Sequence, residues 1–278
     1  MYKVYEAIAT LIIFFFGASI GSFLNVVVYR LPAGISLIYP PSRCPKCLHR
    51  LGKTENVPVL GWLWLQGRCR WCATPISPRY PLVEAITGLL FVLVFGQFGI
   101  TGTSVGYCIF LSWLLALALI DLDTMTLPNV LTESGLLVGL GYQMFEGWFS
   151  AGSAGWASYL MWGIGSAVLG IWLFDTITIV GTIALGQPAM GGGDAKLAAM
   201  IGAWLGWKNL LLTGFLACGV GAVVGTAAIA LGLLSRKQPL PFGPFLVLGA
   251  VLSVFWGEAF LRLYLDLFFP LGVAELLS

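Results

Sequence analysis

The chain has 278 residues and a formal net charge of +2, with 59% hydrophobic and only 9% charged residues. Water-soluble domains carry about 25% charged residues, so this composition and a mean hydropathy of +0.93 exclude a protein whose surface faces water throughout. Lipid is the expected surroundings, and no nucleic-acid partner is expected.

The first apolar run, 7–28, carries no charge. It exceeds the about 7–15-residue core of a signal peptide and reads as a retained membrane span. A polar stretch, 29–80, follows. Further apolar runs cover 82–99, 105–120, 130–144, 157–186, 197–205, 210–234 and 245–260. They are continuous and do not alternate, so they predict helices. The expectation is an all-α polytopic membrane protein with about eight transmembrane helices and a small cytoplasmic loop domain. It divides into a first helix (1–28), the loop domain (29–80) and a helical membrane domain (81–278). The run at 197–205 is short for a span, and that at 157–186 is long enough to tilt or lie partly along the interface. Glycine pairs at four-residue spacing, Gly17–Gly21 and Gly221–Gly225, read as sites of close helix approach.

Eight of the fourteen basic residues lie between Arg30 and Arg79. Positive loops remain in the cytoplasm, which places the N-terminus outside. The segments around Asp121, Asp194 and Arg236–Lys237 then face the cytoplasm too. The same loop holds Cys44-Pro45-Lys46-Cys47 and, after 21 intervening residues, Cys69-Arg70-Trp71-Cys72. Two such pairs can close a tetrahedral zinc site, and a reducing compartment argues against structural disulfides. A loop with few apolar residues needs a staple to fold, so the zinc is read as structural. His49, the lone histidine, reads as a surface residue, and without a second one no ordinary serine or cysteine hydrolase set can be assembled. Cys108 and Cys218 lie within spans and read as packing residues.

Ionisable residues within spans are functional candidates by default. Asp121 and Asp123 end the third span, and Asp194, behind Gly191-Gly192-Gly193, opens the sixth. On this topology both clusters lie on one side of the membrane. Paired carboxylates that share one proton can activate water and protonate a scissile carbonyl, and glycines would let an extended peptide approach. Asp121 and Asp123 point about 200° apart on a helix, so only one can face Asp194, and spacing does not say which. Asp175 is a third buried candidate. Glu84 suits either a cofactor site or the interface, and Glu133, Glu146, Glu258 and Asp266 read as solvated.

Several motifs in order resemble bacterial type IV prepilin peptidases. They are Gly21–Pro32 (GSFLNVVVYRLP), the paired CxxC loop, Arg79–Glu84 (RYPLVE), Asp121–Pro128, Gly191–Asp194 with Lys196, and Pro241-Phe242-Gly243-Pro244. The resemblance implies a GxGD-type aspartyl protease of the bacterial inner membrane. Such enzymes remove the basic leader of type IV prepilins or type II secretion pseudopilins on the cytoplasmic side. Many then N-methylate the new N-terminal residue with S-adenosylmethionine. By motif, Asp121 and Asp194 are the catalytic dyad, Cys44, Cys47, Cys69 and Cys72 the metal ligands, and Gly67-Arg68 the pair linked to methyl transfer. Asn129 departs from the family pattern, where an aspartate follows the proline.

The principal rival is a proton-coupled transporter using the intramembrane aspartates. Paired broken helices in two halves are not visible in the sequence, and a transporter leaves the cysteine loop unexplained.

Overall fold

A computed structural model of the chain describes residues 2–52, 54–186, 190–233, 235 and 240–268. Lys53, Arg236 and Lys237, which entered the orientation reading, lie outside the described residues, as does the side chain of Lys3. Among the described residues the structure is helical: α1 (Tyr2–Arg30), the short α2 (Leu60–Trp64), α3 (Arg79–Phe98), α4 (Gly102–Thr124), α5 (Asn129–Ala151), α6 (Gly155–Leu185), α7 (Gly192–Ala230) and α8 (Gly243–Phe268). Every apolar run predicted from sequence falls on one of these helices, those ending at 99 and 186 reaching one residue past it and 210–234 running beyond Ala230, its last position outside the described residues. Six stretches are long and apolar enough to cross a membrane, and one of them, Asn129–Ala184, contains both α5 and α6. Large apolar side chains such as Trp172, Ile183 and Phe215 stand exposed on the helices, as lipid-facing positions do. The protein is a multi-pass membrane protein.

The chain packs as two units, Met1–Ala116 and Leu117–Ser278, divided within α4. In the first, α1 lies against α3 with no room for side chains at the crossing. A Cβ at Gly17 would stand 2.8 Å from the Phe91 ring, one at Gly21 2.8 Å from the Glu84 backbone, and one at Gly88 2.8 Å from Phe14. Lipid offers no hydrophobic reward for helix association, so close van der Waals approach does the work. The Gly17–Gly21 pair thus has the role its spacing suggested. Gly221–Gly225 does not: a Cβ at either would make only ordinary contacts, 3.6 Å from Phe245 and 3.9 Å from Leu240.

In the second unit the centre is the first part of α7. At Gly206 the backbone leaves helical geometry (φ 76°, ψ 171°), a conformation that L side chains resist. The break separates α7a (192–205) from α7b (207–230), which the hydropathy pattern had read as two runs. α7a has fourteen residues, about 21 Å at the helical rise, less than the about 30 Å hydrocarbon thickness. Leu197, Ala198, Met200, Ile201 and Ala203 are fully buried. α5 and α6 close on it through glycines: a Cβ at Gly135 would meet Met200 at 2.6 Å, and one at Gly170 the Ala198 backbone at 2.8 Å. The break frees the Trp204 carbonyl, which accepts a hydrogen bond from Gln143 Nε2 at 3.1 Å. The Trp204 indole N–H donates to the Gly135 carbonyl at 2.8 Å, so α5 satisfies the end of α7a.

A Cβ at Gly202 would stand 2.5 Å from the Ser166 carbonyl oxygen, whereas Gly219 faces open space. Gly202→Ala is expected to destabilise the protein by about 1–3 kcal/mol, the usual cost of overpacking. Thermal melts of the detergent-purified protein check this, with Gly219→Ala melting like the wild type.

Candidate active site and metal centre

At the end of α4 the chain turns through Met125 (φ 51°), whose N–H returns to the Asp121 carbonyl at 2.8 Å. Pro128 then starts α5. This turn, 125–129, faces the start of α7a across a cavity of about 300 Å³. Asp121 and Asp194 both line it, with Asn129, Gly191, Gly192, Gly193 and Lys196 among its other walls. The two carboxylates are 5% and 6% exposed and interact electrostatically. Asp123 is exposed and does not line the cavity. The geometry therefore brings Asp121, and not Asp123, together with Asp194.

Each site glycine does something different. A Cβ at Gly193 would press 2.9 Å from Leu127, so this glycine lets the 125–129 turn reach α7a, whereas Gly192 faces open space and Gly191 only brushes Asp194 at 3.7 Å. Lys196 Nζ donates to Asn129 Oδ1 at 2.7 Å, tying α7a to α5 at the mouth. Sequence reasoning noted Asn129 only as a departure from pattern and missed this link. It also missed Gly243, whose N–H donates to Asp121 Oδ2 at 3.0 Å. Asp175 is corrected: it is exposed. Its neighbour Phe174 is buried, and one helical step of about 100° turns Asp175 outward.

The cysteine loop forms two matching knuckles. In the first, the Cys44 N–H donates to the His49 carbonyl and the Leu48 N–H to the Cys44 carbonyl, and in the second Cys69, Thr74 and Ala73 repeat the pattern. Leu48 (φ 57°) and Ala73 (φ 53°) take the same left-handed turn. The four sulfurs lie within 4.8 Å of one another, with Cys44 and Cys72 3.7 Å apart and Cys47 and Cys69 3.9 Å apart. Tetrahedral zinc with thiolate bonds of about 2.3 Å requires sulfurs about 3.8 Å apart, so this set fits the ion. Backbone N–H groups of Cys47 and Lys46 lower the Cys44 thiol, and that of Thr74 brings Cys72 down to about 6. The His49 N–H also pulls on Cys47, but desolvation and hydrogen bonds to the other sulfurs outweigh it and raise that thiol to about 12. A bound cation would hold all four as thiolates. His49 is a surface residue whose ring lies 4.2 Å from Trp71. Of the two span cysteines, Cys108 is buried and Cys218 faces outward, so only the first packs internally.

Residues 15–98 match the Bacterial Peptidase A24 N-terminal domain, and residues 108–226 match the Type IV leader peptidase family. The chain is 38% identical to a prepilin leader peptidase/N-methyltransferase of Aeromonas hydrophila, over 92% of its length and 94% of the relative's. The chain belongs to the type IV leader peptidase family. A relative of the same name from Pseudomonas aeruginosa is 37% identical over 90% of this chain and 91% of its own. One from Myxococcus xanthus is 43% identical over 77% of this chain and 61% of its own. No solved structure matches. As a family member the chain is an enzyme, a peptidase, and nothing in these likenesses supports the transporter reading.

Gly67 and Arg68 open the second knuckle. Gly67 has φ +69°, and a Cβ there would stand 2.7 Å from the Trp62 indole. That indole, held by its N–H to the Ile76 carbonyl at 3.1 Å, already fills the space above the glycine. The backbone turn thus accounts for Gly67, and no cradle for S-adenosylmethionine opens over it. Glu84, read as cofactor site or interface, is an anchor: buried in α3, it accepts the Val59 N–H at 2.7 Å and bonds the Ser22 side chain on α1. Val59 is a β-branched residue at φ 62°, a conformation that survives only when surroundings hold it.

Cys44→Ser and Cys69→Ser are each expected to reduce bound zinc from one ion per chain to near zero, measured by elemental analysis of purified protein. In the wild type, metal affinity should rise with pH, because coordination releases the remaining thiol protons.

Proposed function

We propose that the chain cleaves the basic leader peptides of type IV prepilins or type II secretion pseudopilins, using Asp121 and Asp194 as a catalytic dyad. The observation that carries the reading is the shared cavity of these two buried carboxylates. The names of the relatives support the substrate class. The concentration of cations between Arg30 and Arg79 supports an active site facing the cytoplasm and an N-terminus outside. With α7a and α7b counted separately, that topology has eight helical segments in the bacterial inner membrane.

The reaction follows from the pair. The ionised aspartate takes a proton from water, whose oxygen forms a bond to the scissile carbonyl carbon. The protonated aspartate gives its proton to the carbonyl oxygen, so charge never accumulates there. As the tetrahedral species collapses, the C–N bond breaks, the proton taken from water passes to the leaving nitrogen, and a hydroxyl proton returns to the aspartate that had protonated the carbonyl, so the pair again holds one proton. The products are a leader ending in a carboxylate and a mature chain with a new amino terminus. One proton shared between two carboxylates that face a common cavity would supply both roles at once. The exposed edges at Gly191 and Gly192 leave the cavity open to an extended backbone.

The relatives' names also support methylation of the new amino terminus, with S-adenosylmethionine as methyl donor. Gly67-Arg68 enters that reading by resemblance alone. The four cysteines hold structural zinc that stabilises the loop domain.

Asp121→Asn and Asp194→Asn are each expected to lower kcat for a prepilin substrate by at least about 10³-fold, within the range of acid–base catalysis. Asp123→Asn should stay within a few-fold of wild type. Cleavage assays on the purified, folded variants decide it, and activity retained in either dyad variant would overturn the assignment.

A further inference from the structure

The Pro241-Phe242-Gly243-Pro244 segment has no part in the reaction as written, yet it touches one of the reacting groups. A helix begins with N–H groups that lack partners within it. In α8 these are accounted for one by one. The Phe245 and Leu246 N–H groups both donate to the Phe242 carbonyl, at 3.0 and 3.1 Å, and Pro244 has none. The remaining donor, the Gly243 N–H, points out of the segment and into Asp121 Oδ2 at 3.0 Å.

The segment cannot readily shift. Proline rings restrict the backbone at 241 and 244. The Phe242 ring sits 6.5 Å from Phe174 of α6 and 6.4 Å from Phe245, and Phe174 is buried. Gly243 is also the residue that the contact demands. A Cβ there would stand 2.6 Å from Asp121 Oδ2 and 3.1 Å from its Cγ. The atoms it meets belong to a side chain and not to backbone, so a methyl group would displace the carboxylate and leave the helices in place.

We propose that Gly243 is a positioning residue for peptide hydrolysis: its N–H seats the Asp121 carboxylate in the cavity, and the missing side chain leaves room for it. The inference rests on the reading of Asp121 as a member of the dyad. Asp194 is held locally instead: its carboxylate meets the backbone of Gly191, and its own N–H donates to the Gly191 carbonyl at 3.1 Å. One carboxylate is thus docked on the end of a distant helix, and the other on the turn that opens its own.

The test is steady-state cleavage of a prepilin substrate by the full-length protein, comparing wild type, Gly243→Ala and Asp121→Asn, with thermal melts of each. A displaced catalytic group costs on the order of 10²-fold, so Gly243→Ala is expected to lose about that much kcat. KM should stay within about twofold, and the melting temperature should match the wild type's. Affinity for a hydroxyl-bearing transition-state isostere should fall in parallel with kcat/KM, a change that a merely structural role would not produce. Wild-type kcat in Gly243→Ala, with Asp121→Asn inactive, overturns the positioning role and leaves the dyad standing. Cleavage retained by Asp121→Asn overturns both. Should Gly243→Ala fail to fold, Phe242→Ala decides: a fall in kcat at constant KM supports the seat, and an unchanged kcat rejects it.

Discussion

The second unit is organised around a helix too short for its surroundings. Fourteen residues of α7a cannot cross the hydrocarbon core, and a helix that stops inside a bilayer exposes carbonyls that lipid cannot satisfy. The solution is to bury it. Gln143 takes the carbonyl freed at Trp204, and the Trp204 indole binds back to α5 at Gly135. Because the helix is largely covered by protein, its opposite end can carry Asp194, itself buried, beside Gly192 and Gly193. The break at Gly206 and the placement of a carboxylate are two ends of one constraint.

Packing of this kind depends on glycine more than on bulk. Gly135, Gly170 and Gly202 each lie where a Cβ would strike a neighbour, and in the first unit Gly17, Gly21 and Gly88 do the same for α1 and α3. The gain is dispersion between surfaces in contact, since apolar side chains are equally at home in lipid. Such contacts fail when a methyl group is inserted, which makes the helix positions sharply defined. The proposed active site, made from the ends of four helices, needs that definition, because small displacements of reacting groups are costly.

The helices were legible in the sequence because hydropathy registers lipid exposure directly. Even the broken α7 read correctly as two runs, since Gly206-Trp207-Lys208 interrupts the apolar pattern. The metal centre was legible because ligand identity and spacing are nearly the whole of its chemistry. What spacing could not decide was orientation about a helix axis. Asp121 and Asp123 are equivalent by periodicity, and only the packing around α4 turns one inward. The same ambiguity put Asp175 on the wrong face, and it made Gly221–Gly225 look like Gly17–Gly21. The roles of Gly243 and of the Asn129–Lys196 link were illegible for another reason: each is a contact between segments far apart in sequence. Gly243 did stand in a motif that the resemblance singled out, but nothing in that motif named Asp121 as its contact.

Glu84 has a consequence for how the protein is assembled. The two cysteine knuckles lie between α1 and α3 in the chain, so all four sulfurs leave the ribosome before the second long helix is complete. The backbone hydrogen bonds within each knuckle join only residues of the loop itself. The bond from Val59 to Glu84 is different, because its acceptor sits on α3 and also engages Ser22 on α1. It forms only when both helices stand side by side in the bilayer. The strained backbone at Val59 is thus the joint that couples the cysteine loop to the packing of two membrane helices.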